Sequence, residues 1–168
     1  MQGIIRKITV LAAVFYVWAS FCLVYGAEFI GVVAKVSDGD TIWVETNDGK
    51  REKVRLNRID APESDQPYGK AAAKRLKELV DGKSVRVVYE DADRYGRILG
   101  IVYVSDSDIN LQMLREGCAW HYKYYDKTKS YSDAENEARA AKRGLWEAHN
   151  PINPYEWRKS KRSNRRRR

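Results

Sequence analysis

The sequence contains only two cysteines and two histidines among its 168 residues. Cys22 lies in an apolar amino-terminal stretch, and Cys118 follows two leucines at the spacing of one helix face, so we expect Cys118 to be a core residue. If the amino-terminal stretch is removed, a single cysteine remains and no intramolecular disulfide can form. A zinc site is not indicated either, because His121 and His149 lie in no pattern of metal-ligand spacing and no cysteine cluster accompanies them.

The body of the chain, residues 28–157, lacks the positive charge that the whole chain carries. It holds 21 basic and 23 acidic residues, whereas the whole chain has a net charge of +8. The surplus lies in residues 158–168, which contain eight basic residues and no acidic one. Such a run has no apolar surface to bury, so we predict a disordered basic tail. The tail is suited to contacts with nucleic acid. The alternatives are a solvated tail or a contact with anionic lipid or envelope polymer.

Charge is also missing from the leader after Lys7. Arg6 and Lys7 precede an uncharged run of 20 residues, 8–27, and this order is typical of an export signal. Small residues around Gly26 and Ala27 are suited to cleavage, which would separate residues 1–27 from the body. About 20 apolar residues can also span a bilayer, so an uncleaved signal anchor is the alternative. In both cases we predict export of the body, secreted or periplasmic, or membrane-anchored if the leader remains.

The body has about 130 residues and shows neither a repeat nor an internal linker, which indicates one domain with one core. Alternating apolar residues predict five strands, at residues 30–36, 41–44, 53–59, 85–89 and 98–104. Three helices are predicted, the first from Pro67 to Gly82. Asp108 and Ser132 are the candidate caps of the other two. This order predicts an α+β, mainly β fold: a five-stranded oligonucleotide-binding barrel with three helices.

Three short segments carry charged residues suited to chemistry on a phosphodiester. Asp40 and Asp60 offer oxygen ligands for a hard cation, and Glu63 is a candidate base. Arg55 and Arg97 are candidate phosphate ligands, because a guanidinium binds two phosphate oxygens at once. Taken singly, each has a plainer explanation: an aspartate–glycine turn, a surface glutamate, an arginine in an ion pair. Closure of the barrel would bring Asp40, Asp60 and Arg97 together.

Taken jointly and in order, the segments resemble those of the staphylococcal nuclease (thermonuclease) family. The matches are Asp-Gly-Asp-Thr at 38–41, Arg-Leu at 55–56, Asp-Ala-Pro-Glu at 60–63 and Asp-Arg-Tyr-Gly-Arg at 93–97. The similarity extends over residues 29–146, nearly the whole body. It implies a secreted, calcium-dependent enzyme that hydrolyses DNA and RNA, prefers single strands and leaves 3′-phosphates.

The resemblance also implies a role for each matching residue. Asp40 and Asp60 would bind Ca²⁺ through their side chains and Ala61 through its backbone carbonyl. Glu63 would activate the attacking water. The stretch from Glu63 to Tyr68 is shorter than the corresponding loop of the best-known member.

The substrate contacts follow from the same resemblance. Arg55 and Arg97 would stabilise the five-coordinate phosphorus, and Arg94 and Tyr95 would lie near a terminal phosphate. Tyr125 keeps one of the two positions at which the family stacks tyrosines on nucleotides. We therefore expect DNA and RNA as partners, and a monomer.

Two other functions are compatible with parts of the sequence. One is a barrel that binds nucleic acid without cutting it, and the other is a membrane-anchored envelope protein whose basic tail does the work. The joint presence of Asp40, Asp60, Glu63, Arg55 and Arg97 favours the enzyme over the binding module. The envelope protein accounts for both ends of the chain but not for its middle.

Overall fold

A computed structural model describes residues 27–167 of the chain. The predicted leader lies, apart from Ala27, outside the described residues, and so do Cys22 and the predicted cleavage. Among the described residues, no helix combines the length and the apolar composition needed to cross a membrane.

Five strands close into a barrel, with two-residue strands beside it. The elements are β1 (Ala27–Val36), β2 (Thr41–Thr46), β3 (Arg51–Leu56), β4 (Ile59–Asp60), β5 (Ser84–Ala92), β6 (Ile98–Val104), β7 (Ser107–Asp108) and β8 (Trp120–His121). Neighbours in the order β3-β2-β1-β5-β6 are antiparallel, and β3 pairs with β6 in parallel to close the ring. A ring of five strands cannot alternate direction throughout, so one parallel pair is unavoidable. The predicted oligonucleotide-binding barrel is confirmed.

Alternating side chains of the barrel strands form the core. Ile42 and Val44 on β2, and Val54 and Leu56 on β3, are fully buried. Arg55 lies between the last two and is only partly buried, because successive residues of a strand point to opposite faces. The period-two pattern of the sequence thus places Arg55 outside the apolar interior while its neighbours anchor the strand.

Within residues 27–167, four α-helices and one 3₁₀-helix surround the barrel: α1 (Gly69–Val80), α2 (Ile109–Arg115), α3 (Lys129–Ala140), the 3₁₀-helix (Gly144–Glu147) and α4 (Pro154–Arg166). The predicted cap of α2 is confirmed, since Asp108 accepts a hydrogen bond from the Leu111 N–H at 2.9 Å. The predicted cap of α3 is wrong. Thr128 precedes that helix, and the Ser132 hydroxyl lies 3.1 Å from His121 Nδ1 instead. These three helices correspond to those predicted, and α4 is additional.

Helix α4 corrects the expectation of a disordered tail beginning at Arg158. The helix runs through residue 166, so the predicted boundary between residues 157 and 158 falls inside it. Asn153 accepts a hydrogen bond from the Tyr155 N–H at 2.9 Å, and Pro154 occupies the first turn, where it needs no partner for its nitrogen. Lysine and arginine are good helix formers. Ion pairs with the acidic body, which the sequence did not reveal, hold the helix in place.

Asn110 joins α2 to the barrel at the point where the chain leaves β3. Its side chain is fully buried and makes three hydrogen bonds. It accepts from the Val102 N–H at 3.1 Å and donates to the carbonyls of Asn57 and Gly100, both at 2.9 Å. These bonds fix the path of the chain just before Asp60.

We predict that Asn110→Ala destabilises the fold by about 3 kcal/mol, because it leaves a buried N–H and carbonyl groups without their partner. Urea unfolding followed by circular dichroism measures the change. Asn47→Ala is the matched control, since Asn47 is exposed in the β2–β3 turn, and it should change the free energy of unfolding by less than about 0.5 kcal/mol. Equal effects of the two substitutions would contradict the assigned role.

Candidate active site

The centre of the candidate site is one guanidinium between two buried carboxylates. Asp40 and Asp60 are 5% and 2% exposed. Arg55 forms an ion pair with Asp40 Oδ1 and places its Nη2 at 2.8 Å from Asp60 Oδ1. Asp40 Oδ2 also accepts a hydrogen bond from the Ala61 N–H at 2.9 Å. Four of the predicted site residues therefore meet in one cluster at the end of the barrel.

The backbone brings these side chains together in two ways. Arg55 on β3 pairs with Thr41 on β2, directly after Asp40, and the Leu56 N–H donates to the Asp40 carbonyl at 2.8 Å. Arg58 then adopts a left-handed conformation with φ of 67°, which turns the chain so that Asp60 enters β4. The closeness of Asp40 and Asp60 thus depends on strand pairing and on this turn.

The pKa values of two carboxyl groups at the site are shifted in opposite directions by burial and by neighbouring charges. Burial alone would raise the pKa of Asp40, but the positive charge of Arg55 and the Ala61 N–H together hold that pKa below its usual value. Burial and the negative charge of Asp40 raise the pKa of Asp38 to about 6. Asp40 is therefore ionised, and the positive charge of Arg55 balances its negative charge.

Glu63 lies on a tight turn directly after these residues. The Glu63 N–H donates to Gln66 Oε1 at 3.1 Å, and the Gln66 N–H donates to the Glu63 carbonyl at 2.8 Å. A Cβ atom at Gly69 would lie 1.8 Å from the Glu63 carbonyl oxygen, so a glycine is needed at that position. Gln66 is buried and donates to the Ile152 carbonyl at 2.6 Å, which ties the turn to the segment before α4. Sequence reasoning did not select Gln66.

Arg158 of α4 is a charged residue of the site that sequence reasoning missed. Its guanidinium donates to both oxygens of Asp60, at 3.1 and 2.8 Å, and to Glu63 Oε1 at 2.7 Å. The residue was assigned to the tail because of the basic run around it. The signal that points to a helix is the Asn153-Pro154 pair, a cap followed by a first-turn proline.

Arg97 lies near β3 along the backbone, but its side chain does not join the cluster. Its Nε donates to Asp93 Oδ2 at 2.7 Å within the β5–β6 turn. Ile98, the next residue, pairs with Val54 beside Arg55. Among the described residues, no hydrogen bond or ion pair links Arg97 to the three clustered carboxylates.

Arg94 and Tyr95 lie on the outside of that turn. The guanidinium of Arg94 lies 4.9 Å from the centre of the Tyr95 ring, and the guanidinium of Arg97 lies 5.7 Å from it. Tyr95 is 69% exposed. The three residues form one surface group, separate from the carboxylate cluster.

Tyr125 belongs to a set of three tyrosines that follows β8. Its ring centre lies 5.0 Å from that of Tyr122 and 4.7 Å from that of Tyr124. Tyr124 and Tyr125 are largely exposed, whereas Tyr122 is partly buried. Trp120 of β8 pairs with Asp60, and the Tyr122 N–H donates to the Arg58 carbonyl at 2.8 Å, so this aromatic set lies beside the carboxylates. Burial and the negative charge of Asp60 raise the pKa of Tyr122. Only Tyr125 was selected from the sequence.

The donor set is chemically suited to calcium, which prefers carboxylate and carbonyl oxygens. Asp40, Asp60 and the Ala61 carbonyl are the candidate ligands, and Glu63 lies next to them. Within residues 27–167, no three or more histidine, cysteine, aspartate or glutamate side chains are arranged as a ready metal site. The clustered carboxylates contact Arg55 and Arg158 instead.

Comparison with known proteins identifies the family of the chain. The profile of the family described as staphylococcal nuclease homologue matches residues 53–148. The chain belongs to this family. An uncharacterized endonuclease of Haemophilus influenzae is 44% identical over 132 residues, which cover 79% of this chain and 74% of that protein. The resemblance predicted from the short motifs is thereby confirmed.

Two further relatives of this staphylococcal nuclease homologue show how far the similarity extends. An uncharacterized endonuclease of Escherichia coli is 43% identical over 157 residues, 93% of this chain and 99% of that protein. A probable staphylococcal-like nuclease of Oryza sativa subsp. japonica is 46% identical over 114 residues, 68% of this chain but 34% of that protein. The match to the bacterial protein covers nearly the full length of both chains, whereas the plant protein is much longer.

We predict that Arg55→Ala lowers the free energy of unfolding by about 3–5 kcal/mol, because it leaves two buried carboxylates without their shared counterion. Urea unfolding in a chelating buffer measures the change. Arg51→Ala is the matched control, since Arg51 lies on the same strand but is exposed, and it should cost less than about 1 kcal/mol. A small effect of Arg55→Ala would show that the carboxylates find other partners.

Proposed function

We propose that the protein is an exported, calcium-dependent nuclease that hydrolyses phosphodiester bonds of DNA and RNA, prefers single strands and leaves 3′-phosphates. Membership of the family supports nuclease chemistry. The observation that carries the proposal is the cluster of Asp40, Asp60 and Arg55 at one end of the barrel, with Glu63 on the adjoining turn. The chemistry of this cluster matches the needs of phosphodiester hydrolysis.

The cluster supplies the charges that the reaction requires. Asp40, Asp60 and the Ala61 carbonyl would hold the ion, which when bound withdraws charge from a phosphate oxygen and acidifies water. Glu63 would accept the proton of the attacking water. Arg55 donates to the two aspartates and, at 3.5 Å, to the Ile59 carbonyl, so some of its five N–H donors remain for the phosphate oxygens.

The remaining predicted residues would hold the strand on either side of the reacting phosphate. Arg97 would add a second guanidinium once it exchanges Asp93 for phosphate, and Arg94 and Tyr95 would contact a terminal phosphate. Tyr125 and its neighbours would stack on unpaired bases, since aromatic rings bind every base through its π face. A preference for single strands follows, because paired bases do not offer these faces.

A non-catalytic binding barrel is the second candidate function. It is favoured by one observation: the guanidiniums of Arg55 and Arg158 already engage the carboxylates that a metal ion would need. The two functions differ in whether the protein turns over substrate, which the following experiment decides.

We predict that the protein from Ala27 onward cleaves denatured DNA and RNA with calcium and not with chelator. Glu63→Gln should retain nucleotide binding and lower turnover at least about 100-fold, since it removes the base. Glu147→Gln, a change of an exposed glutamate in the 3₁₀-helix, is the control and should leave turnover unchanged. Gel assays with 3′-end analysis give the rates and products. Binding of nucleic acid without calcium-stimulated cleavage would favour the binding barrel.

The proposal of export rests on the order of charge and apolar residues in the leader. We predict that, in a bacterial host, the protein is found outside the cytoplasm with an amino terminus near residue 27. Amino-terminal sequencing of the exported fraction checks this. An intact leader in the membrane fraction would indicate a signal anchor, and retention in the cytoplasm would contradict export.

A further inference from the structure

The geometry points to Arg158 as an internal competitor of the cation: helix α4 is a strap that closes the site by pairing Arg158 with Asp60 and Glu63, and cation binding must open it. The inference rests on the proposed function, because it assumes that a divalent cation binds Asp60. It concerns the carboxyl-terminal helix, to which the proposed reaction assigns no role.

Arg158 occupies the oxygen atoms that a cation would need. Its two Nη atoms lie 3.1 and 2.8 Å from the two oxygens of Asp60, and Nη1 also lies 2.7 Å from Glu63 Oε1. Arg55 already contacts Asp60 Oδ1. A calcium ion would bind carboxylate oxygens at about 2.3–2.6 Å. Arg158 takes a lone pair on each Asp60 oxygen, one of which Arg55 also contacts, and its positive charge would repel an ion bound there, so the ion and Arg158 compete for Asp60.

The strap is attached in a way that permits opening. Of the residues of α4, only Pro154 is buried. The described contacts of the helix with the turn after Glu63 are polar: the Trp157 indole donates to Asp65 at 3.2 Å, and Lys161 pairs with Asp65. Segments with few buried apolar contacts open at low cost in free energy. Displacement of the helix would therefore leave the barrel intact.

Competition of Arg158 with the cation for Asp60 must be distinguished from general repulsion of the cation by the positive charge of α4. Arg162 lies one turn beyond Arg158, is exposed, and makes no ion pair within residues 27–167. Arg162→Ala removes the same charge from the same helix without removing a contact to Asp60. Arg158→Lys keeps the charge but removes the two-pronged contact. Compared with Arg158→Ala, these two variants distinguish occupancy of Asp60 from simple repulsion of the cation.

The test is calcium titration by calorimetry of the protein from Ala27 onward, which contains every described element, without nucleic acid. A closed strap lowers the apparent affinity by the fraction of molecules that are open, so Arg158→Ala should tighten calcium binding about tenfold or more. Arg158→Lys should tighten it less, and Arg162→Ala should change it less than about threefold. Equal affinities of Arg158→Ala and Arg162→Ala, weaker binding by Arg158→Ala, or no calcium binding by any form would overturn the inference.

A second measurement follows the unsubstituted protein itself, and a variant serves only to identify the resonance. The Nε–H resonance of Arg158, identified by its loss in Arg158→Ala, should shift during the calcium titration with the calorimetric midpoint. An unshifted resonance while calcium binds would overturn the strap. Cleavage is scored separately: tighter calcium binding by Arg158→Ala without any cleavage would leave the strap in place and refute the proposed nuclease.

Discussion

The position of Arg55 between Asp40 and Asp60 is the interaction on which the rest of the site depends. Two almost fully buried carboxylates that lie side by side need a positive charge between them, and Arg55 is the counterion that they share. The apolar neighbours of Arg55 on β3 are sealed in the barrel, so the guanidinium is held by the strand itself. The same constraint leaves N–H donors of Arg55 free to face a phosphate.

Backbone pairing in the closed barrel brings the other residues of the site toward Arg55. The parallel pairing of β3 with β6 places Ile98, the first residue after the β5–β6 turn, beside Val54 and next to Arg55. Asn110 secures the exit of β3, and Arg58 turns the chain toward Asp60. Residues that lie about 20 positions apart, such as Asp40 and Asp60, become neighbours through backbone hydrogen bonds rather than through any direct sequence signal.

The body and helix α4 carry opposite net charges, and an arginine of α4 forms a second set of ion pairs at the site. The body is slightly acidic and the carboxyl-terminal segment is strongly basic, so the two attract each other. The attraction is specific because Arg158 meets Asp60 and Glu63, and Lys161 meets Asp65. The segment is thereby ordered beside the cluster instead of being free in solvent. Binding of substrate to this face would have to compete with contacts inside the molecule.

The order of the motifs and the period-two strands determined the family and the barrel by themselves, since local patterns of residue type specify strands, turns and their succession. They also identified Asp40, Asp60 and Arg55, whose roles depend on residue chemistry. Tertiary structure alone decided that Arg97 stays with Asp93 and that Arg158 joins the cluster. An arginine has the same local sequence pattern in a solvated run and in an ion pair. Asp60, the partner of Arg158, lies 98 residues away in the chain, so no local pattern could reveal the contact.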